Sequence, residues 1–300
     1  MPMNARRSDV AGYLSLAFLL ITADARAAEP SSIAALPVAE APARFTADPI
    51  ADGAVISVSL GFGALSELVV TTGEITPQQP QPTSRLLGID RLALSKHESS
   101  AGPSSSIAAL FALVYAVADP IFTGYRSGAS SGWVDAVIYA EALALVWAAT
   151  NMAKLTVRRP RPRAYQEQER LNEIFGMDNA PSITDTDTGL SFFSGHTALA
   201  ATVTSTATYL AFARSPDTAR PWITLSVGTV LTAFVGVQRV RAGAHFPTDV
   251  IAAAMAGTGI GLLVAHIHRD VTPGSQPLWV GFNSVRGGGT LTLAGSFGDE

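Results

Sequence analysis

Six nearly uncharged apolar stretches, each broken off by a short polar or charged piece, restrict this chain more than any other property it has. Residues 53–70, 107–118, 134–154, 196–212, 222–240 and 246–268 have the length and composition of helices rather than strands. Breakers stand between them: Asp119 with Pro120 ends the second, and Pro247 suits the first turn of the last. Sequential helices joined by turns alternate in direction, so their ends sort into two groups. The expected fold is therefore all-α, an antiparallel bundle of about six helices. Residues 278–282 and 290–293 flank Gly287, Gly288 and Gly289, and there a short C-terminal β-hairpin or strand appendage is expected. The glycine run reads as a turn rather than a phosphate loop, because no helix follows it.

Composition removes several functions. A net charge of −4 and the absence of a basic stripe argue against a nucleic-acid partner. With no cysteine there is no disulfide, thiolate metal site or thiol nucleophile. Arg6 and Arg7, the apolar residues 11–22 and the small residues Ala23, Ala25 and Ala27 have the order of a secretory signal peptide. The expected organisation is a signal at 1–27, an Ala/Pro-rich linker at 28–52, one helical domain at 53–270 and a Gly-rich tail at 271–300. Residues 71–106 and 158–191 read as long polar connections, the second more functional than idle.

Three separated pieces carry the chemistry. Lys154 ends one helix and is followed by Arg161 and Pro162; Ser194, Gly195 and His196 open the next; Arg239 ends the third; His245 and Asp249 open the last. In an antiparallel bundle all of them fall at one end. Lys154, Arg161 and Arg239 supply three cations for a phosphoryl group. Backbone N–H groups at Ser194 and Gly195 precede a helix and suit an oxyanion. His245 is the expected nucleophile, with Asp249 reaching its imidazole to fix one ring nitrogen as N–H. His196 is the expected general acid, and then the base that activates water. This inventory requires no metal, because side chains provide the positive charge.

Other charged groups receive plainer readings. Arg158, Arg159 and Arg163 extend a positive cluster at a helix end, and Asp185 and Asp187 read as solvated loop acids. Glu141, inside an apolar helix, reads as a buried structural group. His266 and His268 read as helix-end cations beside Arg269. His97 carries no weight.

The three pieces resemble the type 2 phosphatidic acid phosphatase (PAP2) superfamily, which also holds bacterial class A acid phosphatases and vanadium haloperoxidases. Lys154, Arg161 and Pro162 match its first motif. Ser194, Gly195 and His196 match the second, with Phe193 in place of proline. Arg239, His245 and Asp249 match the third, with Gln238 in place of serine. The resemblance covers roughly residues 50–270. It implies an all-helical fold, a phosphohistidine intermediate and no divalent metal, and it assigns those residues the roles given above. Phe193 and Gln238 bear on substrate preference rather than on a catalytic atom.

Residues 222–237 and 250–265 are uncharged and nearly long enough to cross a bilayer, and an integral membrane protein is expected. A cleaved signal leaves the new N-terminus outside, so a periplasmic site needs an even number of crossings before Lys154. The expectation is that the 53–70 helix does not cross and that the site faces the periplasm from the bacterial inner membrane. The expected substrate is a lipid phosphate or diphosphate. The alternatives are a soluble periplasmic acid phosphatase of broad specificity and a vanadate-dependent haloperoxidase. No cofactor is expected; vanadate would be an inhibitor or, on the last alternative, the cofactor.

Overall fold

Six helices of twenty or more residues follow the apolar stretches, in a computed structural model that describes residues 43–73, 75–270, 279–285 and 288–294. The expected signal peptide and the linker as far as residue 42 lie outside the described residues. In chain order the helices are α1 (Ala51–Thr71), the single turn α2 (Gly88–Arg91), α3 (Ala101–Ser127), α4 (Ala129–Val157), α5 (Pro162–Phe175), α6 (Gly195–Arg214), α7 (Arg220–Arg241) and α8 (Pro247–Ile267). The backbone of Trp279–Val285 pairs antiparallel with that of Gly288–Ala294. Side chains beyond residue 270 lie outside the described residues.

α6 forms the centre, packed by α3, α4, α7 and α8, while α1 lies against α4. Small residues make the close approach possible. A Cβ on Gly257 of α8 would stand 2.2 Å from the Ala198 carbonyl oxygen of α6, and one on Gly261 2.2 Å from Ser205 Oγ. Thr202 and Thr206 of α6 donate across the seam to the carbonyls of Gly257 and Gly261, at 3.0 and 3.3 Å. The outer helices turn large apolar side chains outward, among them Val58, Leu65, Phe111, Val117, Val230, Met255 and Leu263. Five segments are long and apolar enough to cross a membrane: α1, α3, the stretch containing α4, α7 and α8. The chain has the character of a membrane protein, and α1 meets the same length and hydropathy requirement as the others.

Helix boundaries differ from the sequence expectation at three places, the start of α3 at Ala101 rather than 107 among them. Pro120 does not end its helix: α3 runs from Ala101 through Ser127. Asp119, the other breaker, is tied into the bundle by Arg220 at 2.8 Å and by Tyr139 at 3.0 Å. The connection after Arg161 is not all loop either, since Pro162 opens the fourteen-residue helix α5. Proline suits that position, where an N–H has no intrahelical acceptor.

Candidate active site

The ends of four helices meet where the three sequence pieces lie. Lys154 is in the last turn of α4, Gly195 and His196 begin α6, Arg239 is in the last turn of α7, and His245 and Asp249 bracket the start of α8. The turn from Arg239 to His245 depends on Gly243, at φ +64°, where a Cβ would stand 2.6 Å from the Lys96 carbonyl oxygen. Bulk there would push the two motif residues apart.

The expected cations and histidines act on one another. Burial first, then Arg239, Lys154 and Arg161, lower the His196 pKa to about 4. His245 is only 2% exposed. Burial, followed by Arg161, Arg239 and Lys154, holds it well below the ordinary histidine range. Both imidazoles are therefore neutral near pH 7, the form in which a ring nitrogen carries a lone pair.

Asp249 departs from the expected direct contact. Its carboxylate is 3.9 Å from His245 Nδ1, whereas the Ser191 carbonyl oxygen is 2.6 Å away. A carbonyl only accepts, so Nδ1 carries the proton and Nε2 the lone pair. Asp249 works one step back. It accepts from the Ser191 hydroxyl, from Phe246 N at 2.8 Å and from Arg159 at 2.6 Å. Arg159 also binds Asp90 at 2.7 Å and lies over the Phe246 ring, 4.2 Å from its centroid. Asp90 in turn accepts from Thr248 N at 3.1 Å and from its hydroxyl at 2.9 Å, fixing the start of α8. A chain of bonds, buried at Asp90, Asp249 and Ser191 and half-buried at Arg159, thus runs from α2 to the backbone acceptor of His245.

The remaining motif residues have specific partners. Ser194 is buried, its hydroxyl bonds Thr197 Oγ1 at 3.0 Å, and its N–H, expected to face an anion, donates instead to the Asp249 carbonyl oxygen at 3.4 Å, so the N–H groups from Gly195 onward are what this helix start offers an anion. Arg161 is 5% exposed and pairs with Asp187 at 2.6 Å. Asp187 is thus no free solvated acid, for it binds Arg163 as well. Partial burial pushes Asp187 up, but Arg161, Arg163 and Lys154 outweigh that and hold its carboxyl below the ordinary range. Arg239 keeps a buried Nε without a partner among the described residues, with Ser105 at 3.5 Å from Nη1. Gln238 Oε1 accepts from Arg241 at 3.2 Å. Phe193 is buried against Val146, Ala198 and Ala253.

Sequence reasoning missed Asp90, Ser105, Ser106, Arg159 and Ser191. Ser106 stands 3.1 Å from His196 Nε2. It lies in the α3 turns that extend back from residue 107 to Ala101. Ser99 and Ser100 just ahead of the helix, and Pro103 in its first turn, gave a local signal of a helix start there.

The model of the PAP2 superfamily matches residues 135–273. No curated protein matches the chain. Among solved structures, the chain is similar to the crystal structure of a transmembrane PAP2-type phosphatidylglycerolphosphate phosphatase from Bacillus subtilis, at 17% identity and a TM-score of 0.39. That likeness covers 72% of this chain and 94% of the other.

Proposed function

From the cage geometry, and with residues 135–273 matching the model of the PAP2 superfamily, we propose that this protein is a membrane phosphatase acting on a lipid phosphate monoester or diphosphate through a phosphohistidine intermediate. The observation that carries the reading is that the helix ends gather three cations, Lys154, Arg161 and Arg239, around the buried His245 and the half-buried His196, where burial and then their pressure keep both imidazoles neutral. A phosphoryl group relieves that pressure. Its equatorial oxygens take charge from Lys154, Arg161 and Arg239 and hydrogen bonds from the N-terminal N–H groups of α6. Arg161 exchanges part of its pairing with Asp187 for the substrate.

His245 Nε2 attacks phosphorus while Nδ1–H stays bonded to the Ser191 carbonyl. The phosphorus–oxygen bond to the leaving group breaks, and His196 gives that oxygen its proton. Substrate charge raises the His196 proton affinity and so arms it as the acid. In the second step His196 takes a proton from water, the hydroxide oxygen attacks phosphorus, and the phosphorus–nitrogen bond breaks to release inorganic phosphate. The cations come from side chains, so these steps call on no metal. A lipid substrate is favoured because the cage sits at the end of helices whose outer faces are apolar.

The test is His245→Ala in purified protein, assayed with a chromogenic phosphate ester and a panel of lipid phosphates. Turnover is expected to fall to background for every substrate while phosphate still binds. Unchanged turnover would remove the nucleophile assignment. Hydrolysis of soluble esters alone would favour a broad acid phosphatase instead.

A further inference from the structure

A second cluster of ligand-type groups lies well away from the phosphoryl cage. Asp52 in the first turn of α1, Glu141 midway along α4 and His268 just past α8 bring one ligand atom each within 4.8 Å of one another. Glu141 precedes Lys154 by thirteen residues of helix, about 20 Å along the axis. His268 is 4% and Glu141 3% exposed, and both His268 Nε2 and Glu141 Oε2 are buried without a hydrogen-bond partner among the described residues. Orphaned atoms of this kind are costly and rare, so their convergence needs an explanation.

The hydrogen bonds narrow the choice. His268 Nδ1 lies 2.8 Å from the Val264 carbonyl, so it carries a proton and directs Nε2 at the two carboxylates. Nε2 is 3.3 Å from Asp52 Oδ2 and 3.4 Å from Glu141 Oε2. Asp52 Oδ2 accepts from Asp48 N at 2.7 Å, which orients the carboxylate and leaves a second lone pair. Three lone pairs facing one another repel, so a positive centre belongs between them. A proton on Nε2 would leave two carboxylates, the buried Glu141 and the half-buried Asp52, with one positive charge. A divalent ion balances both. Ligands at about 2.0–2.1 Å around a tetrahedral ion are about 3.3–3.4 Å apart, the separation seen at His268. An imidazole held by a backbone carbonyl, with carboxylates as co-ligands, suits zinc or a similar first-row ion better than calcium or magnesium.

We propose that Asp52, Glu141 and His268 bind one divalent transition ion, zinc-like in preference, with water in the open position. The ion clamps the start of α1 and the end of α8 to the middle of α4. It takes no part in phosphoryl transfer, and the proposal stands independently of the function given above.

The full chain, purified in detergent and stripped with a chelator, is re-equilibrated with Zn2+, Co2+, Mg2+ or Ca2+ in turn. One equivalent of Zn2+ by elemental analysis is expected, with a melting rise of about 5 °C or more at a hundredfold excess over the dissociation constant. Co2+ is expected to give the visible bands of a four-coordinate ion, unchanged by added vanadate. Glu141→Gln, which keeps shape and removes charge, should abolish uptake and the melting shift together. The proposal is overturned if the wild type retains no transition ion, if only Mg2+ or Ca2+ shifts the melt, or if Glu141→Gln binds zinc as before. If that variant does not fold, the wild-type cobalt spectrum decides: bands erased by vanadate would place the ion in the phosphoryl cage and end the proposal.

Discussion

Replacing Asp249 with Asn separates two ways in which a carboxylate can serve His245, the proposed nucleophile. Where a carboxylate is itself the acceptor that sets the tautomer, its amide replacement costs about 10⁴ in kcat. Here the acceptor is the Ser191 carbonyl at 2.6 Å, and Asp249 is 3.9 Å from the same nitrogen. What Asp249 offers the developing imidazolium is charge. A unit charge at that distance is worth about 4 kcal/mol gross at an effective dielectric of about 20. Arg159, bonded to Asp249 at 2.6 Å, cancels much of it. A net loss of about 1–2 kcal/mol remains, or roughly 5–30-fold in kcat. Stability should suffer more, because a fully buried acid leaves Arg159 with Asp90 alone; breaking such a pair costs about 3–5 kcal/mol. Steady-state hydrolysis of a chromogenic ester and a thermal melt measure the two effects. A fall in kcat near 10⁴, with an unchanged melt, would refute the indirect role.

Burial and then the three cations hold His196 at about 4, so sulfate, which does not itself titrate above pH 4 and offsets those cations, should bind with proton uptake. Its affinity should rise as pH falls below about 6.5, and calorimetry in two buffers of different ionisation enthalpy checks the uptake; equal heats would contradict it. The same sign governs folding. The unfolded chain protonates His196 and His245 where the folded chain does not, so stability should decline as pH falls through about 6.5. Gly257→Ala, whose added carbon would stand 2.2 Å from the Ala198 carbonyl oxygen, should cost about 1–3 kcal/mol, seen as a lower melting temperature. The chain has no native cysteine, so a single cysteine at the exposed Thr184 reports the face of the membrane. Labelling of intact spheroplasts by an impermeant thiol reagent is expected; labelling only after lysis would put the site on the cytoplasmic side.

The helices and the shared end of the motif pieces were legible because both follow from local pattern and alternating chain direction. Lys154 closes one apolar run and Gly195 opens the next, and no distant contact is needed to see it. What supports the site was not legible. Asp90 reaches Thr248 across 158 positions, and Arg159 reaches Asp249 across 90. No periodicity encodes such partners. Ser191 was invisible for another reason: its contribution to His245 is a backbone oxygen, which every residue type has. Pro120 misled because a proline weakens a helix without saying whether neighbouring contacts outweigh it. Asp187 misled because its loop sits beside arginines that follow a different helix.

The tight seam between α6 and α8 has a consequence for how such a protein can diverge. Glycines that admit no added carbon and threonines that bond across the groove make these two helices a single stiff member. His196 rides on one and His245 is anchored at the start of the other, so the spacing of the proposed acid and nucleophile is a property of that member alone. Access for a bulky ester must then be gained by yielding around it, at the serine-lined start of α3 and along α7. Selectivity can drift in those flanking parts while the reacting pair keeps its alignment.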